Sequence, residues 1–162
     1  MVKHFSRVNH AVLLIGIGNE HRSDDGVGLN IARRLKKLNS KQVVIAEHNK
    51  DGIALMETWK DFDTVIIIDA VSSGAETGTI FRFEAHTKPL PANLFHYSTH
   101  SFGIAEGIEL ARTLNQLPPY LIVYGIEMVN YDSGTGLSLE TNEFVQKVTD
   151  LIQQEIHSLF HT

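Results

Sequence analysis

The chain has 162 residues, 43% of them hydrophobic and 20% charged, with a net charge of −5 and no cysteine. Length and composition predict one globular domain, residues 1–162, with a full core rather than a disordered chain. The negative charge and the lack of a basic run argue against nucleic acid or a membrane surface as partner, and the missing cysteines leave only His, Asp, Glu and backbone oxygens to hold a metal.

Lys3 and Arg7 ahead of an apolar run mimic a secretory signal, but Glu20-His21-Arg22 follows where small residues should mark a cleavage site. Residues 12–17 read instead as a first strand buried on both faces. No segment is long enough to span a bilayer, so the cytoplasm is the expected location.

Val27, Ile31, Leu35 and Leu38 give residues 26–38 a helical spacing. A short second strand covers 43–46 and a short helix 53–59. Residues 64–70 form the most apolar strand. In 78–84 the alternation of Ile80-Phe81-Arg82-Phe83 suits an edge or antiparallel strand, and Ser72 to Gly78 before it has the composition of a turn. Pro89 and Pro91 mark 87–99 as a loop. Residues 102–114 are helical, with Pro118-Pro119 as the stop, and 120–126 are a strand. A long amphipathic helix over 141–159 carries Phe144, Val148, Leu151, Ile152, Ile156 and Leu159 on one side. This order predicts an α/β fold: a three-layer α/β/α sandwich around a mostly parallel twisted sheet.

The chemistry concentrates where strands end. Ligands of open α/β sheets bind at the carboxyl ends of the strands. Asp25 follows the first strand, Asp69 ends the third, and His100 precedes the helix from Phe102. Two carboxylates and an imidazole form an O,O,N set for a divalent ion such as nickel or zinc. Ser23 or Asp24 can cap the helix that follows, but two adjacent aspartates exceed what one cap needs. A dinucleotide loop is the competing reading of Gly16-Ile17-Gly18. It fails because His21 stands at the third glycine position and the acidic pair repels a pyrophosphate. As a turn residue Asp69 would need no other role, yet its place at the end of an apolar strand is where a site is built. His96 lies four residues before His100, but Ser98-Thr99 reads as loop, so His96 is expected outside the ligand set. Glu127 ends another strand and is a candidate supporting residue, as are His21 and His48 more remotely. Trp59, Phe81 and Phe83 are expected to pack the core.

The motif Gly16-x-Gly18-Asn19-x4-Asp24-Asp25-Gly26-x-Gly28, the strand ending Asp69-Ala70, the segment Ser98-Thr99-His100, and Gly125-Ile126-Glu127 followed by Gly136-Leu137-Ser138 occur in that order. Over nearly its whole length the chain resembles the hydrogenase maturation endopeptidases, which process the large subunit of nickel–iron hydrogenases. The resemblance implies an α/β/α sandwich and removal of a C-terminal peptide from a nickel-loaded large-subunit precursor. It also implies that Asp25, Asp69 and His100 contact nickel carried by that substrate, with no tightly bound cofactor of the protein's own. Two departures fall in loops expected to touch the substrate. Members often carry an acid-Gly-Gly-Thr stretch after the second strand, where this chain has Glu47-His48-Asn49-Lys50-Asp51-Gly52. Apolar residues are common where it has Glu20-His21-Arg22. The same three residues would also serve a non-catalytic nickel-dependent chaperone or binding module, or a small metallohydrolase with its own ion.

Overall fold

The computed structural model describes residues 9–18, 26–49, 51–91, 93–95, 102–127 and 139–161. The elements follow the order β1 (Asn9–Ile17), α1 (Gly26–Lys37), β2 (Val43–His48), α2 (Gly52–Trp59), β3 (Phe62–Val71), β4 (Ile80–Glu84), α3 (Ile104–Thr113), β5 (Tyr120–Glu127) and α4 (Leu139–Phe160). The five strands form one sheet in the order β2-β1-β3-β5-β4. β1 pairs in parallel with β2 and β3, β3 with β5, and β4 closes one edge antiparallel to β5. The predicted α/β sandwich and the antiparallel edge strand are both observed.

The apolar runs are continuous in β1, β3 and β5 because helices cover both faces of these interior strands. Leu13, Ile15, Ile17, Val65, Ile67, Leu121 and Val123 pack on one face with Leu55 and Trp59 of α2 and Ile104, Ile108 and Ala111 of α3. Val12, Leu14, Ile66, Ile68, Ile122 and Tyr124 pack on the other with Val27, Ile31 and Leu35 of α1 and Val145, Val148, Ile152 and Ile156 of α4. β4 turns its two aromatic side chains, Phe81 and Phe83, toward the first cluster, and Ile80 packs against the second. Between the two aromatics Arg82 reaches Glu155 of α4 at 2.5 Å. The hydrogen bond to Glu155 is the main reason the Arg82 guanidinium is held above its ordinary pKa, so it stays charged and ties the edge strand to α4.

Most element boundaries are shifted by one to three residues from the sequence reading, and two of the shifts have a readable cause. β1 starts at Asn9, with its register against β3 shifted between Asn9 and Val12. α3 ends at Thr113, ahead of Pro118-Pro119: Leu114 N–H donates to Leu110 O, Gln116 N–H to Ala111 O, and Asn115 takes a φ of 55°. Asparagine tolerates that left-handed conformation, so the helix stops by its own cap before the prolines are reached.

α1 lies backbone-to-backbone on the sheet. A Cβ on Gly28 would stand 2.5 Å from the carbonyl oxygen of Ile17 and still closer to that of Ile68, and one on Gly16 would stand 2.6 Å from Ala32 Cβ. Backbone carbonyls cannot swing aside as a side chain can. Gly28→Ala is therefore expected to lower unfolding stability by about 1–3 kcal/mol, the usual cost of overpacking. Gly103→Ala, whose Cβ would face the movable Glu106 Oε2 at 3.3 Å, should cost at most about 1 kcal/mol. Urea unfolding of both variants checks this; equal midpoints for Gly28→Ala and wild type would show that the contact is not tight.

Candidate active site

The sheet order places the change of winding direction between β1 and β3: from β1 the chain moves outward to β2, then returns to the other side. In open α/β sheets this point, at the carboxyl ends of the strands, is where ligands bind. α1, α2 and α3 begin at this rim. α1 follows β1, and its first turn sits on Ile17 and Ile68 through Gly28. α2 follows β2 and is capped by Asp51, whose Oδ1 accepts from Ile53 N–H at 3.0 Å and Ala54 N–H at 3.3 Å. α3 starts beside α2: Gly52 N–H donates to Phe102 O at 3.3 Å, and a Cβ on Gly107 would stand 2.7 Å from Gly52 O. Only glycines allow two helices to meet this closely. Glu106 Oε2 accepts from Gly103 N–H at 3.0 Å and satisfies the first turn of α3.

Asp69 lies within β3, two residues before its end, in register with Gly125 of β5. It is 1% exposed. Strand alternation puts its side chain on the face of Ile67 and Val71, toward α2 and α3. Phe95 is buried on the same face: a Cβ on Gly125 would stand 3.5 Å from Phe95 Cζ. The other two predicted ligands, Asp25 and His100, lie outside the described residues, as do His96, His21, Ser23 and Asp24. Their tethers are described, and they converge. Gly18, whose N–H donates to His48 O at 3.0 Å, and Gly26, which opens α1, bound the segment of Asp25. Phe95, beside the Asp69–Gly125 pair, and Phe102, beside the start of α2, bound that of His100. All four are at the carboxyl rim around Asp69.

Glu127, singled out from the sequence as a supporting residue, ends β5 and is 3% exposed. Both of its carboxylate oxygens accept from Ser73 N–H at 3.0 Å, and Oε2 also accepts from Ser73 Oγ at 2.6 Å. His48 is half-buried at the end of β2, its Nδ1 2.8 Å from Asn49 O. Glu47 is exposed and takes two hydrogen bonds from Arg33 of α1, at 3.0 and 2.6 Å. Among the described residues no cluster of three or more His, Asp or Glu stands ready to hold an ion. In the sequence Asp51 and Ser73 read only as members of loops, without roles of their own. Asp51-Gly52 ahead of a helical pattern is a cap signal that names the first, whereas nothing local points to the second.

The model of the hydrogenase maturation protease family matches residues 29–155, well over half of the 162-residue chain. The chain belongs to that family. It is a peptidase of the HycI/HybD type. The hydrogenase expression/formation protein HupD of Thiocapsa roseopersicina is 28% identical over 155 residues, which cover 94% of this chain and 69% of HupD. Protein FrxA of Pyrococcus furiosus is 30% identical over 133 residues, 80% of this chain and 93% of FrxA. Among solved structures, the [NiFe] hydrogenase maturation protease HybD of Thermococcus kodakarensis superposes with a TM-score of 0.67 at 27% identity, over 90% of this chain and 99% of that one. The maturating endopeptidase HybD of E. coli gives 0.70 at 18% identity, over 91% and 93%, which speaks for the fold. No helix among the described residues of the protease is long and apolar enough to cross a membrane.

Proposed function

We propose that this protease removes the C-terminal peptide of a hydrogenase large-subunit precursor once nickel has been inserted, and that Asp25, Asp69 and His100 engage the nickel carried by that substrate. The observation that supports this best is Asp69, a carboxylate 1% exposed at the carboxyl rim of the central strand. Burying a carboxylate costs several kcal/mol unless charge or hydrogen bonds compensate, so a residue chosen for packing alone would be apolar, as its neighbours Ile67, Ile68 and Val71 are. The second support is that the described ends of the Asp25 and His100 segments lie on the same rim.

Three side-chain ligands of O, O and N type leave part of an ion's coordination sphere open, and the substrate's own ligands fill it. Recognition then reads the loaded metal as well as the peptide. The substrate's nickel polarises the scissile carbonyl or lowers the pKa of an attacking water, and one of the two carboxylates takes the proton. Without cysteine a thiolate nucleophile is excluded.

Incubated with nickel-loaded precursor, the protease is expected to release a C-terminal peptide and to leave nickel-free precursor intact, read by mass over a time course. Asp25→Asn, Asp69→Asn and His100→Ala should each lower kcat/KM by about 100-fold or more, the range of a lost acid–base or metal-contacting group. His96→Ala should cost under about tenfold, because it is placed outside the ligand set. Wild type that binds the loaded precursor without shortening it would overturn the cleavage reading, and equal cutting of nickel-free precursor would remove nickel from the mechanism.

The purified protease should carry well under one metal ion per chain after dialysis against a chelator, since the ion belongs to its substrate. Metal analysis by mass spectrometry settles the point: a stoichiometric ion surviving dialysis would mean a resident metal instead.

A further inference from the structure

The loop of residues 72–79 leaves β3 directly after Asp69-Ala70-Val71 and runs along the carboxyl rim to β4. Ser72, Ser73, Gly74, Glu76 and Thr77 are exposed, yet the loop is fastened at several points. Gly78 N–H donates to Glu127 O at 2.8 Å, and Glu127 N–H donates to Thr79 O at 2.9 Å. Thr79 N–H and Oγ1 both donate to Glu76 O, at 3.0 and 2.6 Å. Ala75 N–H donates to Ser73 Oγ at 3.2 Å. The far end of the loop is held by the backbone ladder. Its near end is held by one side chain, the buried carboxylate of Glu127, which takes the Ser73 amide on both oxygens and the Ser73 hydroxyl on one.

This is a costly way to close a turn. An apolar residue at the end of β5 would fill the same space, and the backbone bonds at Gly78 and Thr79 would close the strand pair without a charge. What the carboxylate adds is a fixed position for Ser73 and the residues after it. Val71 stands opposite Glu127, and Asp69 opposite Gly125. Strand spacing and rise therefore put the Cα atoms of Asp69 and Glu127 about 8 Å apart on one face of the sheet. An exposed loop held rigid at that distance from the site is a contact surface for what enters it.

We propose that Glu127 is a positioning residue: through Ser73 its carboxylate sets the 72–79 loop as a fixed wall beside Asp69, against which the large-subunit precursor docks. The inference rests on the proposed reaction for its substrate. It predicts an effect on substrate capture, with the chemical step left to the residues that face the scissile bond. Glu127→Ala removes all three acceptor contacts. Glu127→Gln keeps one acceptor oxygen for the Ser73 amide but turns an amide donor toward the other side. Ser73→Ala keeps the N–H contacts and loses only the hydroxyl.

The test combines steady-state cleavage and direct binding of nickel-loaded precursor with hydrogen exchange at the Ser73 amide. Glu127→Ala is expected to raise KM and Kd about tenfold, the equivalent of one lost charge-assisted hydrogen bond, with kcat within about twofold of wild type. The Ser73 amide should be slow to exchange in wild type and fast in this variant. Glu127→Gln and Ser73→Ala should fall between, with KM raised about threefold each; they keep the test decisive if the alanine at 127 does not fold. A merely structural anchor would lower the melting temperature and the active fraction, hence kcat, with KM unchanged. That pattern, or a KM unchanged despite fast exchange at Ser73, overturns the proposal. Failure of wild type to bind or cut the loaded precursor counts against the proposed reaction instead, a result separable from normal wild-type turnover paired with unaltered variants.

Discussion

The seating of α1 on β1 and β3 through Gly28 governs the rest of the carboxyl rim. At that point the helix has no side chain between its backbone and the carbonyl oxygens of Ile17 and Ile68. Gly16, facing Ala32, removes the remaining obstacle. A helix held off by an ordinary side chain would start farther from the sheet, and Gly26 at its start would be carried away from the rim of β1 and β3. The contact also puts the positive end of the α1 dipole at the carboxyl rim, where it favours carboxylates on the preceding residues. A second close contact, between Gly52 and Gly107, does the same for α2 and α3. In both places a side chain has been given up for the position of a helix start.

The two faces of the sheet share the work unequally. α1 and α4 cover one face and are joined by polar contacts: Arg34 reaches Asn142 at 2.5 Å and Gln146 at 3.0 Å. α2 and α3 cover the other, with Asp69 pointing toward them. The loop from β4 to α3 climbs this second face from the amino end of the sheet to its carboxyl end, burying Leu90, Leu94 and Phe95 on the way. Arg112 of α3 braces its lower part by donating to Ala85 O at 2.6 Å and Lys88 O at 3.3 Å. The apolar anchors thus deliver the chain to the rim just ahead of the His96 to His100 segment, where the polar residues are.

How legible each part was in the sequence follows from how local its cause is. The interior strands announce themselves because burial on both faces demands unbroken apolar runs. β4 could be told apart because Arg82 between Phe81 and Phe83 needs one wet or ion-paired side. Asp69 stood out because an acid at the end of such a run conflicts with packing. The start of β1 and the end of α3 were less readable: the first depends on a register shift against β3, and the second on the φ of Asn115. The Glu127–Ser73 contact joins residues 54 apart in sequence, and neither position carries a mark of it. Asp25 and His100 were singled out by residue type, motif and resemblance, in stretches where neither helical nor strand periodicity dictates side-chain direction.

On the proposed reading, an ion held by three protein groups and completed by its substrate sets a particular demand on the scaffold. The protein must keep its ligands close enough to read the metal and still too few to strip it from the precursor. A rim built from separate chain segments meets that demand better than a compact motif on one helix, since ligands far apart in sequence form no chelating pair with a neighbour. In the proposed site Asp69 is fixed in the central strand. It supplies the reference point of the rim. A flexible wall would spoil this arrangement by letting the precursor approach the rim in many orientations. The buried carboxylate of Glu127, spent on a single exposed turn, is intelligible as the means of denying it that freedom.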